Sequence, residues 1–90
     1  MPEWSFLTRH ARVLICIARD PKARMRDIAT TLDITERATY DAITDLVESG
    51  YVVKQRAGRR NQYRLHTRLP IRGAAASEAT IGELLEQLVG

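Results

Sequence analysis

Apolar and polar positions alternate along the chain with a period that changes near its middle and changes back before its last helix. From Ser5 the stripe Phe6, His10, Val13 and Ile17, with Leu7 and Leu14 beside it, recurs at three- and four-residue steps and lines one face of an amphipathic helix. Ser5 supplies a side-chain oxygen for its N-cap. Asp20-Pro21 ends it, because the residue before proline is pushed out of the helical region. Arg24-Met25 reads as a short extended piece, followed by Ile28, Ala29 and Leu32 in a second helix of about two turns. Asp33-Ile34 leaves room only for a tight turn. Thr35 caps a third helix whose apolar and aromatic positions are Ala38, Tyr40, Ala42, Ile43, Leu46 and Val47, with a stop at Gly50.

After Gly50 the period shortens to two. Tyr51-Val52-Val53 is rich in strand formers, Ala57-Gly58-Arg59-Arg60-Asn61 is a polar connection, and Gln62-Tyr63-Arg64-Leu65-His66 alternates. Together they predict a β-hairpin with a basic tip. The pattern leaves open which of Val52 and Val53 faces inward. Leu69 to Ala76 reads as a connection, broken by Pro70 and Gly73. Ser77 or Thr80 then starts a last helix. Thr80 and Glu83 have the spacing of a capping box, and Ile81, Leu84, Leu85 and Leu88 fall at i, i+3, i+4 and i+7. The expectation is a mainly α fold with a small β-hairpin, divided into a unit over 1–68 and a connection with a terminal helix over 69–90. A terminal helix this short must bury its stripe, either on its own core or against a second copy, and the second is the expectation here.

Ninety residues leave room for one domain, with no separate effector domain. The longest apolar run, Val13 to Ala18, is six residues, too short to cross a membrane. The chain begins Met1-Pro2-Glu3, without a basic leader, so the expected location is cytoplasmic with no membrane partner. Net charge is +3, but its distribution says more. Residues 1–35 hold six bases and four acids; residues 36–50 hold Arg37 against Glu36, Asp41, Asp45 and Glu48. Residues 51–72 hold seven bases and no acid, and residues 73–90 hold three glutamates and no base. Seven uncompensated bases repel one another unless a polyanion lies across them, which points to nucleic acid.

Helix, short helix, tight turn, capped helix and basic hairpin is the order of a winged helix-turn-helix, and the residues carry the likeness further. Arg26 through Thr35 resembles the first half of the motif, with small Ala29 where two helices cross. Leu46, Glu48, Gly50, Tyr51 and Val52 resemble its L-x-E-x-G exit into the wing, and Arg59-Arg60 followed by Tyr63 and Leu65 resembles a wing of the form R-R-x-x-Y-x-L. Over residues 5–68 the chain resembles winged-helix transcriptional regulators of the MarR or ArsR kind. That resemblance implies a homodimer that binds double-stranded DNA sequence-specifically. It implies contacts from Glu36, Arg37, Thr39, Tyr40, Asp41 and Thr44 on the third helix and from Lys54, Arg56, Arg59, Arg60 and Arg64 on the wing. Arg37 suits guanine, and Tyr40 a phosphate or a thymine methyl. Asp41 departs from the pattern: an acid there either accepts from a cytosine amino group or opposes the backbone. Ile81, Leu84, Leu85 and Leu88 are the expected dimer contacts.

Other conspicuous residues have plainer readings. Tyr63 and His10 fit core positions, Cys16 a reduced core thiol, and Trp4 the end of the core or a subunit contact. One cysteine and two histidines offer no zinc spacing, and the paired cysteines of metal sensors resembling the ArsR kind are missing. With no cofactor motif, catalytic arrangement or glycine-rich phosphate loop, the sequence reads as a non-enzyme. The rival to DNA binding is a protein-interaction module, favoured by the acidic third helix; the basic hairpin would also suit RNA.

Overall fold

The structure, a computed structural model, describes residues 4–73 and 78–89. Its elements run α1 (Arg9–Arg19), α2 (Met25–Leu32), α3 (Glu36–Glu48), β1 (Val52–Ala57), β2 (Arg60–Leu65) and α4 (Ile81–Val89). Four helices with one antiparallel hairpin give the mainly α fold with a wing that the periodicities predict. Ser77 lies outside the described residues. Among those described, no helix is long and apolar enough to cross a membrane.

One core joins every element. Val13, Leu14 and Ile17 of α1 meet Ile28 of α2, Ala42, Ile43 and Leu46 of α3, Tyr51, Val52 and Tyr63 of the hairpin, and Ile81 and Leu85 of α4. Val52 is therefore the inward valine, and Val53 is exposed. Tyr63 is buried, as its alternation suggests, and Cys16 packs half-buried against the cluster.

Local chemistry sets the helix ends. Thr35 accepts from the Ala38 N–H at 2.9 Å, capping α3. Thr80 and Glu83 close a reciprocal box on α4: the Thr80 N–H donates to the Glu83 carboxylate at 3.2 Å, and the Glu83 N–H donates to the Thr80 hydroxyl at 3.2 Å. The start of α1 departs from expectation. Thr8, not Ser5, caps it, accepting from Ala11 N–H, while Ser5 accepts from Leu7 N–H in a local turn. Phe6 consequently lies outside the helix and is 92% exposed, in an edge-to-face pair with exposed Trp4. His10 is exposed too, not in the core; its Nε2 lies 2.8 Å from Asp45 Oδ2. Met25 begins α2 and is not part of an extended piece; only Arg24 before it is extended.

The terminal helix corrects a second expectation. Ile81 and Leu85 are buried in this chain's own core and are not available to a partner; Leu84 and Leu88 are half-buried. Backbone bonds fasten α4 to the chain leaving the wing: Ile81 N–H donates to Leu69 carbonyl at 2.8 Å, and Gly82 N–H to Thr67 carbonyl at 2.9 Å. A side chain at Gly82 would sit 2.7 Å from Thr67 Cβ and 2.9 Å from its carbonyl oxygen, so the approach requires glycine. The Tyr51 hydroxyl donates to the Pro70 carbonyl in the same connection. Segments 1–68 and 69–90 thus share one core.

Candidate nucleic-acid interface

The turn between α2 and α3 fixes how α3 is presented. Asp33 takes the left-handed conformation at φ +56 and ψ +48, which a short polar side chain tolerates. Ile34 N–H then donates at 3.0 Å to the Ala29 carbonyl, which also accepts from the Asp33 N–H, so the chain turns tightly off the end of α2. From the other side, Arg12 Nη2 donates to Leu32 carbonyl at 3.2 Å and ties α1 to the same end. Thr35 follows at once as the cap of α3, so the angle between α2 and α3 is set by residues 32–35.

Helical geometry then sorts the side chains of α3. Thr39, Ala42, Ile43 and Leu46 face the core, while Glu36, Arg37, Tyr40 and Asp41 face outward and Thr44 is half-buried beside them. Thr39 is the correction among the expected contact residues. It is fully buried, and its hydroxyl donates to the Thr35 carbonyl at 3.0 Å, so it braces the first turn of α3 and cannot reach a ligand. The outward residues touch one another: Arg37 Nε lies 3.3 Å from Asp41 Oδ1, and the Arg37 guanidinium carbon lies 5.9 Å from the centre of the Tyr40 ring. Two of the acids that make α3 negative have partners: Asp41 is paired with Arg37, and Asp45 is hydrogen-bonded to His10.

The wing is tighter than its sequence suggests. Val52 pairs with Leu65 and Ala57 with Arg60, leaving a two-residue loop of Gly58 and Arg59. Gly58 has φ +65 and Arg59 a negative φ, the pattern of a type II′ hairpin turn. Residues opposite one another share a face, so Lys54 and Arg56 stand on the face of Tyr63, and Arg60 and Arg64 on the other. All five wing bases are exposed, but they are not one stripe. Arg59 alone sits at the tip. Arg60 opens β2 and its Nη2 donates to the Lys22 carbonyl at 3.3 Å, while Tyr63 N–H donates to the Pro21 carbonyl at 3.1 Å. The wing is thereby bound along β2 to the α1–α2 turn.

This tether brings in a base that the sequence reading passed over. Exposed Lys22 stands against β2 of the wing, with exposed Arg24 and Arg26 following at the start of α2. Their spacing at 22, 24 and 26 was visible, but the contact of Lys22 with Arg60, 38 residues on, was not. Burial pushes the Tyr63 hydroxyl above its ordinary pKa, and it likewise raises the Cys16 thiol, opposed by the positive charges of Arg19 and Arg12. Among the described residues no three His, Cys, Asp or Glu side chains converge as metal ligands. What the surface offers is an exposed helix end bearing arginine and tyrosine, and a braced hairpin that carries exposed bases.

Residues 8–53, from the cap of α1 to the start of β1, match the model of a family described as winged helix-turn-helix DNA-binding. No curated protein matches the chain.

Proposed function

Because the chain belongs to the winged helix-turn-helix DNA-binding family, we propose that it binds double-stranded DNA sequence-specifically and regulates transcription in the cytoplasm as a homodimer. The observation that carries this reading is the outward end of α3. Glu36, Arg37, Tyr40 and Asp41 occupy its first two turns, where a helix entering the major groove presents side chains to base edges. Lys54, Arg56, Arg59, Arg60 and Arg64 supply phosphate contacts from the wing, and Lys22 adds to them from the adjoining turn. The exit residues Leu46, Glu48 and Gly50 and the wing residues Arg59, Arg60, Tyr63 and Leu65 favour a regulator of the MarR or ArsR kind.

A dimer is favoured on physical grounds. One module of this size offers limited contact area, and two-fold symmetry doubles it. With Ile81 and Leu85 committed to the core, the surfaces left for a partner include the half-buried Leu84 and Leu88 and the exposed aromatic pair Trp4 and Phe6.

Selection from a random duplex library tests the reading directly. The expected product is a set of inverted repeats with half-site centres about one helical turn, or a multiple of it, apart. Binding should weaken steeply with added salt. Failure to enrich any duplex would overturn the proposal and leave the protein-interaction reading, to which the unmatched acids on α3 are suited. Tighter binding to structured RNA than to any enriched duplex would favour RNA instead.

A further inference from the structure

Asp41 places a carboxylate on the exposed face of α3, beside the one base of that helix, Arg37. Its position gives it an occupation other than touching DNA. Arg37 stands one turn earlier on α3, with Nε 3.3 Å from Asp41 Oδ1 and its guanidinium carbon 5.9 Å from the Tyr40 ring centre. A guanidinium carries five N–H donors in one plane. Asp41 faces Nε in an ion pair without a hydrogen bond, which leaves the terminal pair Nη1 and Nη2, the fork that can meet guanine O6 and N7 together. The Arg37 side chain is 82% exposed despite these contacts, so the fork is accessible to a ligand.

We propose that Asp41 is a positioning residue for base recognition: with Tyr40 it holds Arg37 so that the terminal nitrogens read a guanine and do not settle on a phosphate. This rests on the duplex-binding reading above and adds to it the residue that sets specificity. An ion pair this exposed contributes little by its own attraction. Its effect lies in ordering. A long side chain that must be immobilised on binding weakens the complex by roughly two- to twelvefold, and a side chain already held escapes that loss. Only the complex in which Arg37 reads a base gains from it. The negative charge of Asp41 opposes every duplex alike and cancels from the ratio of preferred to unrelated sequence.

The test uses the full chain, duplexes it enriches from a random library, and scrambled duplexes of equal length at the same salt. Asp41→Ala should lower the ratio of enriched to scrambled affinity by about two- to twelvefold. It should relax the preference at the same G·C pair that Arg37→Ala relaxes, and should add nothing in an Arg37→Ala background. Asp41→Asn, which keeps the shape and removes the charge that pairs with Arg37, should lower the ratio as Asp41→Ala does. Because Asp41 is exposed, all variants should unfold at the wild-type temperature. Two results would overturn the proposal: equally tighter binding to both duplexes with an unchanged ratio, or relaxation at a base pair that Arg37→Ala leaves alone, which would mark direct acceptance from cytosine. If the wild type enriches no duplex, the DNA reading falls and this role with it. If it enriches one and changing Asp41 leaves the ratio untouched, the positioning role fails alone.

Discussion

Buried Tyr63 and half-buried Cys16 are acids whose neutral forms the fold prefers, and that preference has a direction in pH. The unfolded chain loses these protons near the ordinary values of 9.0 for Cys16 and 10.0 for Tyr63, while the folded chain holds them to higher pH. Above each ordinary value the unfolded state binds fewer protons, so stability should fall as pH rises, starting near 9. Urea titrations between pH 8 and 11 should show the decline; Cys16→Ala should delay its onset and Tyr63→Phe should flatten its upper part. An equal decline in both variants would dismiss the idea. Single residues were legible where their roles are local. Thr35 as a cap, Thr80 with Glu83 as a box and Tyr63 as a core residue depend on neighbours a few positions away. Thr39 carried a readable signal as well, since it shares one helical face with Ala42, Ile43 and Leu46; the resemblance implies an outward position, whereas that face lies in the core. His10 had no such signal, because its partner Asp45 is 35 residues on.

At the scale of elements, two attachments decide what the helices and the wing can do. The first is the seat of α4 on Thr67. Gly82→Ala gains helix propensity worth at most about 1 kcal/mol, and less in a first turn. Its new carbon meets a carbonyl oxygen 2.9 Å away that belongs to backbone, and overpacking of this kind costs about 1–3 kcal/mol. Net destabilisation is expected in denaturant titrations, with α4 loosened first; a more stable variant would show that the seat yields. The second attachment is Arg60 on the Lys22 carbonyl, which separates two residues that adjoin in sequence. Arg59→Ala should lower the slope of log affinity against log salt by about one for a lost phosphate contact. Arg60→Ala should also speed exchange of the Tyr63 amide, because it loosens β2 from the α1–α2 turn; identical behaviour of the two variants would refute the distinction. The extent of every helix but the first was close to what the periodicity predicts. The stripe Phe6, His10, Val13, Ile17 fits a helix from residue 5, yet a stripe cannot show where the backbone turns into it, and Thr8 takes the cap.

For the whole molecule, the outcome turns on which apolar surface one core leaves over. The stripe on α4 was visible, but periodicity alone could not say whether this chain or a second copy covers it. The core takes Ile81 and Leu85, so Leu85→Ala should cost about 2–5 kcal/mol whatever the oligomeric state. Replacing Leu84 and Leu88 by glutamate should leave a folded chain that sediments as a monomer and binds DNA more weakly. A wild type that is monomeric at every concentration would remove the homodimer. The fastening of β2 to the α1–α2 turn has a further consequence, for solubility. A two-stranded ribbon offers open edges on which another chain can add a strand, the first step of edge-to-edge aggregation. Here the Pro21 carbonyl occupies an outward N–H of β2, and Lys54 and Arg56 charge the other strand. The turn is thus a guard on the sheet. Growth of aggregates should follow local release of residues 20–22, read as loss of Tyr63 amide protection, well before the core itself unfolds.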